Sequence, residues 1–288
     1  MAGQVSSKIP SAVTEVVTGA AVDATGTLGM KRAAASNADA SIPAGGIAWN
    51  EYATSDVARA REFLGGLFGW GTRTKEFGFE GAYTTFTFAG RDIAGLLALN
   101  DLNGAGNRPG WFPVIRVASV DAAVAKACEL GASVLSPPTG LPGLDRHAML
   151  AGPSQGRFSL LELGDGRAAR GTGCVCWNEM RVTNPSGTAL FFWQTFGWNA
   201  ESLWDDRDGL VTTFLQGGQR VVSMRKAAAD EMSRCMPCVE VGDVAATIRR
   251  ARDLGGAILD AREDDPVLGH AARIVDPLGA DFIVYRRG

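Results

Sequence analysis

Two short stretches, 128 positions apart, hold the residues best suited to chemistry. Trp49-Asn50-Glu51 recurs as Trp177-Asn178-Glu179, and the second copy continues to Arg181. Alternate side chains of an extended chain share a face, so Trp49 goes with Glu51, and Trp177 with Glu179 and Arg181. By the same rule Phe112, Val114 and Arg116 share one face of another β-prone run. A carboxyl beside indole rings in a concave pocket has its charged form disfavoured, which lifts its pKa toward a value useful to a general base. A guanidinium on the same face would steady an oxyanion. Glu51 and Glu179 are therefore candidate bases, with Arg116 and Arg181 as anion-stabilising partners. The competing reading pairs each carboxylate with an Arg that braces the sheet.

The chain has only two histidines, His147 and His270. They are not equivalent, because Arg146 to Pro153 and His270 to Pro277 are the same interval and His270 thus matches Arg146. Either could serve as acid or base or sit satisfied in a strand; His270 is carried as a catalytic candidate and His147 as a ligand contact. Cys174-Val-Cys176 and Cys235-Met-Pro-Cys238 have spacings that zinc or a redox pair can use. Alternation turns Cys174 and Cys176 away from Trp177 and Cys238 toward it, so the four do not converge and buried reduced thiols are expected. Cys128 is expected in a helix core. Trp49 and Trp177 suit stacking on a flat ligand, with Phe112, Val114, Met236 and Cys238 as further lining.

These residues need elements to hold them, and the chain supplies the same set twice. Phe68-Gly69-Trp70 recurs as Phe196-Gly197-Trp198 and Thr84-Thr85-Phe86 as Thr212-Thr213-Phe214, again 128 apart; Leu130-Gly131 and Pro153 recur 124 later. Self-similarity at nearly constant spacing marks a duplicated unit of about 120 residues. The expected organisation is an N-terminal arm over residues 1–44, then units at 45–168 and 169–288. The arm has no aromatic residue and no period, and cannot build a core.

Each unit divides into two strand-helix-strand-strand-strand halves. Ser55-Asp56 offers a helix cap, and Ala60, Phe63, Leu64, Leu67 and Phe68 form one apolar stripe that ends at Gly69. In the second copy Asn184 caps, Pro185 opens the helix, and Phe191, Phe192 and Phe196 carry the stripe. Asp121 and Asp243 are the caps expected in the later halves, and Tyr83–Phe88 and Ile93–Leu99 form a hairpin.

The 288 residues are 46% hydrophobic with a net charge of −3. That balance is globular and leaves no basic stripe for nucleic acid. No window offers about 18 uninterrupted apolar residues, and an odd cysteine count argues for a reducing, cytoplasmic setting rather than a membrane or a disulfide framework.

The motifs together resemble the two-domain vicinal-oxygen-chelate family, which includes glyoxalases, bleomycin-resistance proteins and extradiol-type dioxygenases. The resemblance rests on Trp49 to Asp56 with Leu67-Phe68-Gly69-Trp70, on Val120-Asp121-Ala122-Ala123, and on Asp276-Pro277-Leu278-Gly279-Ala280 with Phe282, and covers about 46–286. It implies an α+β fold of two tandem domains, each of paired βαβββ modules whose curved sheet encloses a cup. In metal-dependent relatives His, Gln or Glu project into the cup; the matching positions here are Trp49, Phe112 and Leu160, then Trp177, Met236 and Ile283. None is a metal ligand, so no metal and no cofactor are expected. The resulting expectation is a small-molecule protein, monomeric in preference to homodimeric. It is either a metal-independent lyase, isomerase, cyclase or hydroxylase-like enzyme acting on a cyclic or carbonyl-containing metabolite, or a sequestering protein of the bleomycin-resistance kind.

Overall fold

The structure is a computed structural model describing residues 42–76, 82–99, 108–141, 144–162 and 168–287. The expected arm lies outside the described residues up to Ser41. The first repeat runs β1 (Ile47–Thr54), α1 (Val57–Phe68), β2 (Gly71–Glu76), β3 (Ala82–Phe88) and β4 (Arg91–Ala98). It continues with β5 (Gly110–Val117), α2 (Val120–Glu129), β6 (Ser133–Leu141), β7 (Leu144–Ala151) and β8 (Arg157–Glu162). The second repeats the order with β9 (Val175–Val182), α3 (Pro185–Phe196), β10 (Asn199–Asp205), β11 (Gly209–Gln216) and β12 (Gln219–Lys226). Then come β13 (Arg234–Glu240), α4 (Val244–Asp253), β14 (Ala257–Asp265), β15 (Gly269–Val275) and β16 (Asp281–Arg286). Each repeat forms one eight-stranded sheet, ordered β2-β3-β4-β1-β5-β8-β7-β6 and β10-β11-β12-β9-β13-β16-β15-β14. This is the expected α+β architecture of paired βαβββ modules.

Local chemistry places the helices. Asp56, Asn184 and Asp243 accept the backbone N–H three residues ahead at 2.8, 3.0 and 2.9 Å. Helix α2 differs from expectation: Ser119 is its cap, accepting from Ala122 N. Asp121 instead sits in the first turn, where a carboxylate favours the helix dipole, and pairs with Arg146 at 2.7 Å. The strands β2 and β10, both at sheet edges, are mostly exposed.

Side chains alternate between two destinations. One face of each sheet packs with the helices in two cores, both shared between the repeats. The first joins Tyr52, Phe63, Leu64, Phe86 and Trp111 to Val244, Ile274 and Phe282. The second joins Ile115, Phe158 and Leu160 to Phe191, Phe192 and Trp198. Helix α1 meets α4, and α2 meets α3. Two indoles close the joint reciprocally. Trp70 donates to the Gly173 carbonyl at 2.7 Å and Trp198 to the Gly45 carbonyl at 2.6 Å. Each repeat thus anchors the lead-in of the other, and both glycines have φ of 87°, which a side chain would resist. Tyr52 adds a 2.5 Å hydrogen bond to Asp276 across the same joint. Cys128, expected in the core, is exposed, because Ala127 is the residue that α2 turns inward.

Candidate active site

The other face of the first sheet is the first cup. On β1, Trp49 and Glu51 share it, facing Val114 and Phe112 on β5. Glu51 has no cation within ion-pairing distance among the described residues. The Tyr83 hydroxyl donates to Glu51 Oε1 and the Ser159 hydroxyl to Oε2, each at 3.3 Å. Trp49 Nε1 donates in turn to the Tyr83 oxygen at 3.0 Å. Burial pushes the Glu51 carboxyl up to about 7, against the downward pull of the Tyr83 and Ser159 hydrogen bonds. Burial and the neighbouring Glu51 hold the Tyr83 phenol well above its ordinary range. Phe112 builds an apolar floor with Ala53, Leu99 and Met149.

His147 lies on β7 two residues before Met149, on the same face, with Nδ1 3.1 Å from the Thr139 carbonyl. Burial lowers its pKa and favours neutral imidazole. Arg116 is not brought to Glu51. It lies four residues beyond Phe112, roughly 13 Å along the strand, and its guanidinium donates to the Ile42 carbonyl at 2.5 Å.

The second cup has the same backbone and opposite electrostatics. Trp177 Nε1 donates to Ser223 Oγ at 3.0 Å, Met236 stands opposite Glu179, and Cys238 opposite Trp177. Glu179, 1% exposed, is gripped by Arg225 at 2.9 Å and Arg181 at 3.2 Å. Arg225 also pairs with Asp208 at 3.0 Å and Asp265 at 2.6 Å, and Arg262 with Asp208 at 2.5 Å. Here Arg181 braces a carboxylate within an ion network. The difference comes from two positions: Arg225 stands where the first repeat has Leu97, and Arg181 where it has Ala53. His270 shares a face with Ala272 and Ile274, the helix side of its sheet, so alternation keeps it from Glu179. Cys235 pairs with Met180 and Cys238 with Trp177, three residues apart and on opposite faces.

At the positions that the resemblance assigns to metal ligands, the residues present do not fit a cation in either cup. Leu160, expected to face the first, is packed in the helix-side core; the residue β8 presents beside Val114 is Ser159. Trp49, Phe112 and Ser159 in the first cup, and Trp177, Met236 and Ile283 in the second, give a divalent cation no anionic or imidazole donor. Among the described residues no three His, Cys, Asp or Glu side chains gather into a cation site.

Tyr83, Ser159 and Arg225 are site residues the sequence reading missed. A glycine inside a strand signals close approach of another group, and Gly95 was that signal: a Cβ there would collide with the Tyr83 hydroxyl.

Two sheets of paired βαβββ modules, each with a cup facing away from its helices, define a tandem vicinal-oxygen-chelate protein. No family model matches the chain, but relatives do. It is 30% identical over 265 residues to the anthracycline biosynthesis protein DauV of Streptomyces sp. strain C5, covering 83% of this chain and 92% of that one. It is 27% identical to CFP32 of Mycobacterium tuberculosis, named as a candidate glyoxylase, covering 83% and 93%. Among solved structures, a Mn(II)-bound glyoxalase from Novosphingobium aromaticivorans superposes with TM-score 0.57 at 14% identity over 84% of this chain and 82% of that one. Homoprotocatechuate 2,3-dioxygenase from Arthrobacter globiformis does so at 0.59 and 14%, over 86% and 82%. The chain belongs to the two-domain vicinal-oxygen-chelate family. No helix among the described residues is long and apolar enough to cross a membrane.

Proposed function

We propose that this protein is a metal-independent enzyme whose first cup performs general acid/base chemistry on a small, largely apolar, cyclic or carbonyl-containing metabolite. The observation that carries the proposal is Glu51: a carboxyl in an apolar cup, held by two hydroxyl donors, with a pKa of about 7. A base poised near the working pH is best matched to proton transfer. Many lyase, isomerase and cyclase reactions begin with such a transfer at carbon. The second cup, whose carboxylates are already matched by guanidinium partners, acts as scaffold. Relatives named as anthracycline biosynthesis proteins support a role in natural-product biosynthesis. Five free thiols suit the cytoplasm, and the two repeats supply each other's partner, which favours a monomer.

The test follows deuterium incorporation from D2O next to the carbonyl of a panel of cyclic ketones by proton NMR. Wild type is expected to promote exchange, and Glu51→Gln to lose about 100-fold or more. Tight binding with no exchange by any panel member would favour the sequestering reading instead.

A further inference from the structure

Tyr83 comes from a different strand than Trp49 and Glu51, yet the three form one line of hydrogen bonds, indole N–H to phenol oxygen and phenol O–H to carboxylate. The fold does not require this. In the second cup the position of Tyr83 is Val211, and the indole is satisfied by Ser223, at the position of Gly95. The first repeat therefore leaves position 95 without a side chain and lets a phenol from the neighbouring strand occupy the space. The incoming indole N–H takes one lone pair of the Tyr83 oxygen, aims its hydrogen toward Glu51 and strengthens it as a donor. The arrangement faces the apolar floor of Phe112 and Met149.

We infer that Tyr83 is a catalytic residue, the donor that holds the carbonyl oxygen of an enolisable cyclic ketone while Glu51 takes the adjacent proton, with Trp49 as its positioning residue. The inference rests on the acid/base reading of Glu51. Phenol and carboxylate oxygens 3.3 Å apart suit a substrate that spans them with its carbonyl oxygen and α-carbon, two bonds apart. Ionised Glu51 accepts the α-proton, the C–H pair becomes the carbon–carbon π bond, and the carbonyl π pair moves to oxygen. The single Tyr83 O–H, given to Glu51 in the empty cup, turns to the carbonyl oxygen as substrate enters, while the Trp49 N–H keeps the phenol oxygen in place, and so bears on that oxyanion. Return of the proton from Glu51 to carbon regenerates a ketone, so no further reagent is consumed.

The experiment compares wild type, Glu51→Gln, Tyr83→Phe and Trp49→Phe in two measurements. The first is α-deuterium exchange of β-tetralone against pH; the second is ionisation of bound β-naphthol, an enolate mimic, followed by absorbance. Tyr83→Phe is expected to slow exchange roughly 10²–10³-fold with KM little changed. It also moves the base limb of the pH profile upward, because Glu51 loses a hydrogen bond to its charged form, and bound naphthol then ionises at higher pH. Trp49→Phe, which keeps a ring but removes the N–H, changes both readouts in the same direction by less. Exchange by Tyr83→Phe within about threefold of wild type, or naphthol ionising at the same pH in both, overturns the role of Tyr83. If Glu51→Gln exchanges as fast as wild type, the acid/base reading fails and the naphthol titration alone judges Tyr83. Failure of wild type to act on or bind either probe refutes both.

Discussion

At the residue scale, the central fact is that one glutamate is kept uncompensated while its twin is neutralised. Glu51 has hydroxyl donors and no guanidinium; Glu179 has two guanidinium partners. The first arrangement has a stability cost. Glu51 rises from an ordinary 4.5 to about 7, so the folded state binds its proton more tightly than the unfolded chain does. Below about 4.5 both states are protonated and nothing is lost. Between about 4.5 and 7 the unfolded chain ionises while the folded protein keeps the proton on Glu51, and over that window stability falls by roughly 3 kcal/mol, at about 1.4 kcal/mol per tenfold change in proton affinity. Glutamine mimics the protonated acid. Glu51→Gln is therefore expected to be more stable than wild type at pH 8 by up to about that amount and indistinguishable at pH 4. Urea unfolding at the two pH values measures it, and an equal effect at both would mean that Glu51 is not the titrating group. Stability sacrificed at a site that chemistry can use is the usual pattern of active centres.

At the element scale, β4 and β12 occupy the same place in their sheets, each parallel to the first strand of its repeat, and differ in what they aim at its carboxylate. Leu97 brings no charge to Glu51, whereas Arg225, wholly buried, grips Glu179 in the second cup. Arg225→Leu is expected to destabilise the protein by about 3–5 kcal/mol, because it removes the cation that Glu179, Asp208 and Asp265 share and leaves three close carboxylates to Arg181 and Arg262. A chemical-denaturation midpoint within error of wild type would show the network to be dispensable. The sequence made the repeats, caps and helix stripes legible because Phe63, Leu64 and Asn184 obey local rules of period and capping. It revealed the Trp49–Glu51 and Trp177–Glu179 pairs for the same reason, since alternation is local. It did not reveal β2, whose exposed Thr-Arg-Thr-Lys run carries no apolar alternation. Nor did it tell the two glutamates apart, because Tyr83, Ser159 and Arg225 reach them from strands 32 to 108 positions away.

At the scale of the whole molecule, the repeats complete each other. Both cores are shared between them, and the tryptophan bonds run from each repeat into the first turn of the other. A single repeat would expose Phe63, Phe86, Trp111, Ile115 and Phe158 together, far more contiguous apolar surface than a monomer of this size tolerates. The positions that make the joint are themselves repeated, Gly45 matching Gly173 and Trp70 matching Trp198. A fragment spanning 45–168, the unit proposed from the repeat spacing, is thus expected to pair with a second copy of itself, Trp70 of each donating to Gly45 of the other. Sedimentation equilibrium should give a dimer whose dissociation exposes apolar surface to a hydrophobic dye. Because the pairing reuses the bond from Trp70, Trp70→Phe should weaken the fragment dimer by about 1–3 kcal/mol through an unsatisfied carbonyl. A folded, monomeric fragment would show instead that each sheet closes its own core and that the joint is an accessory contact.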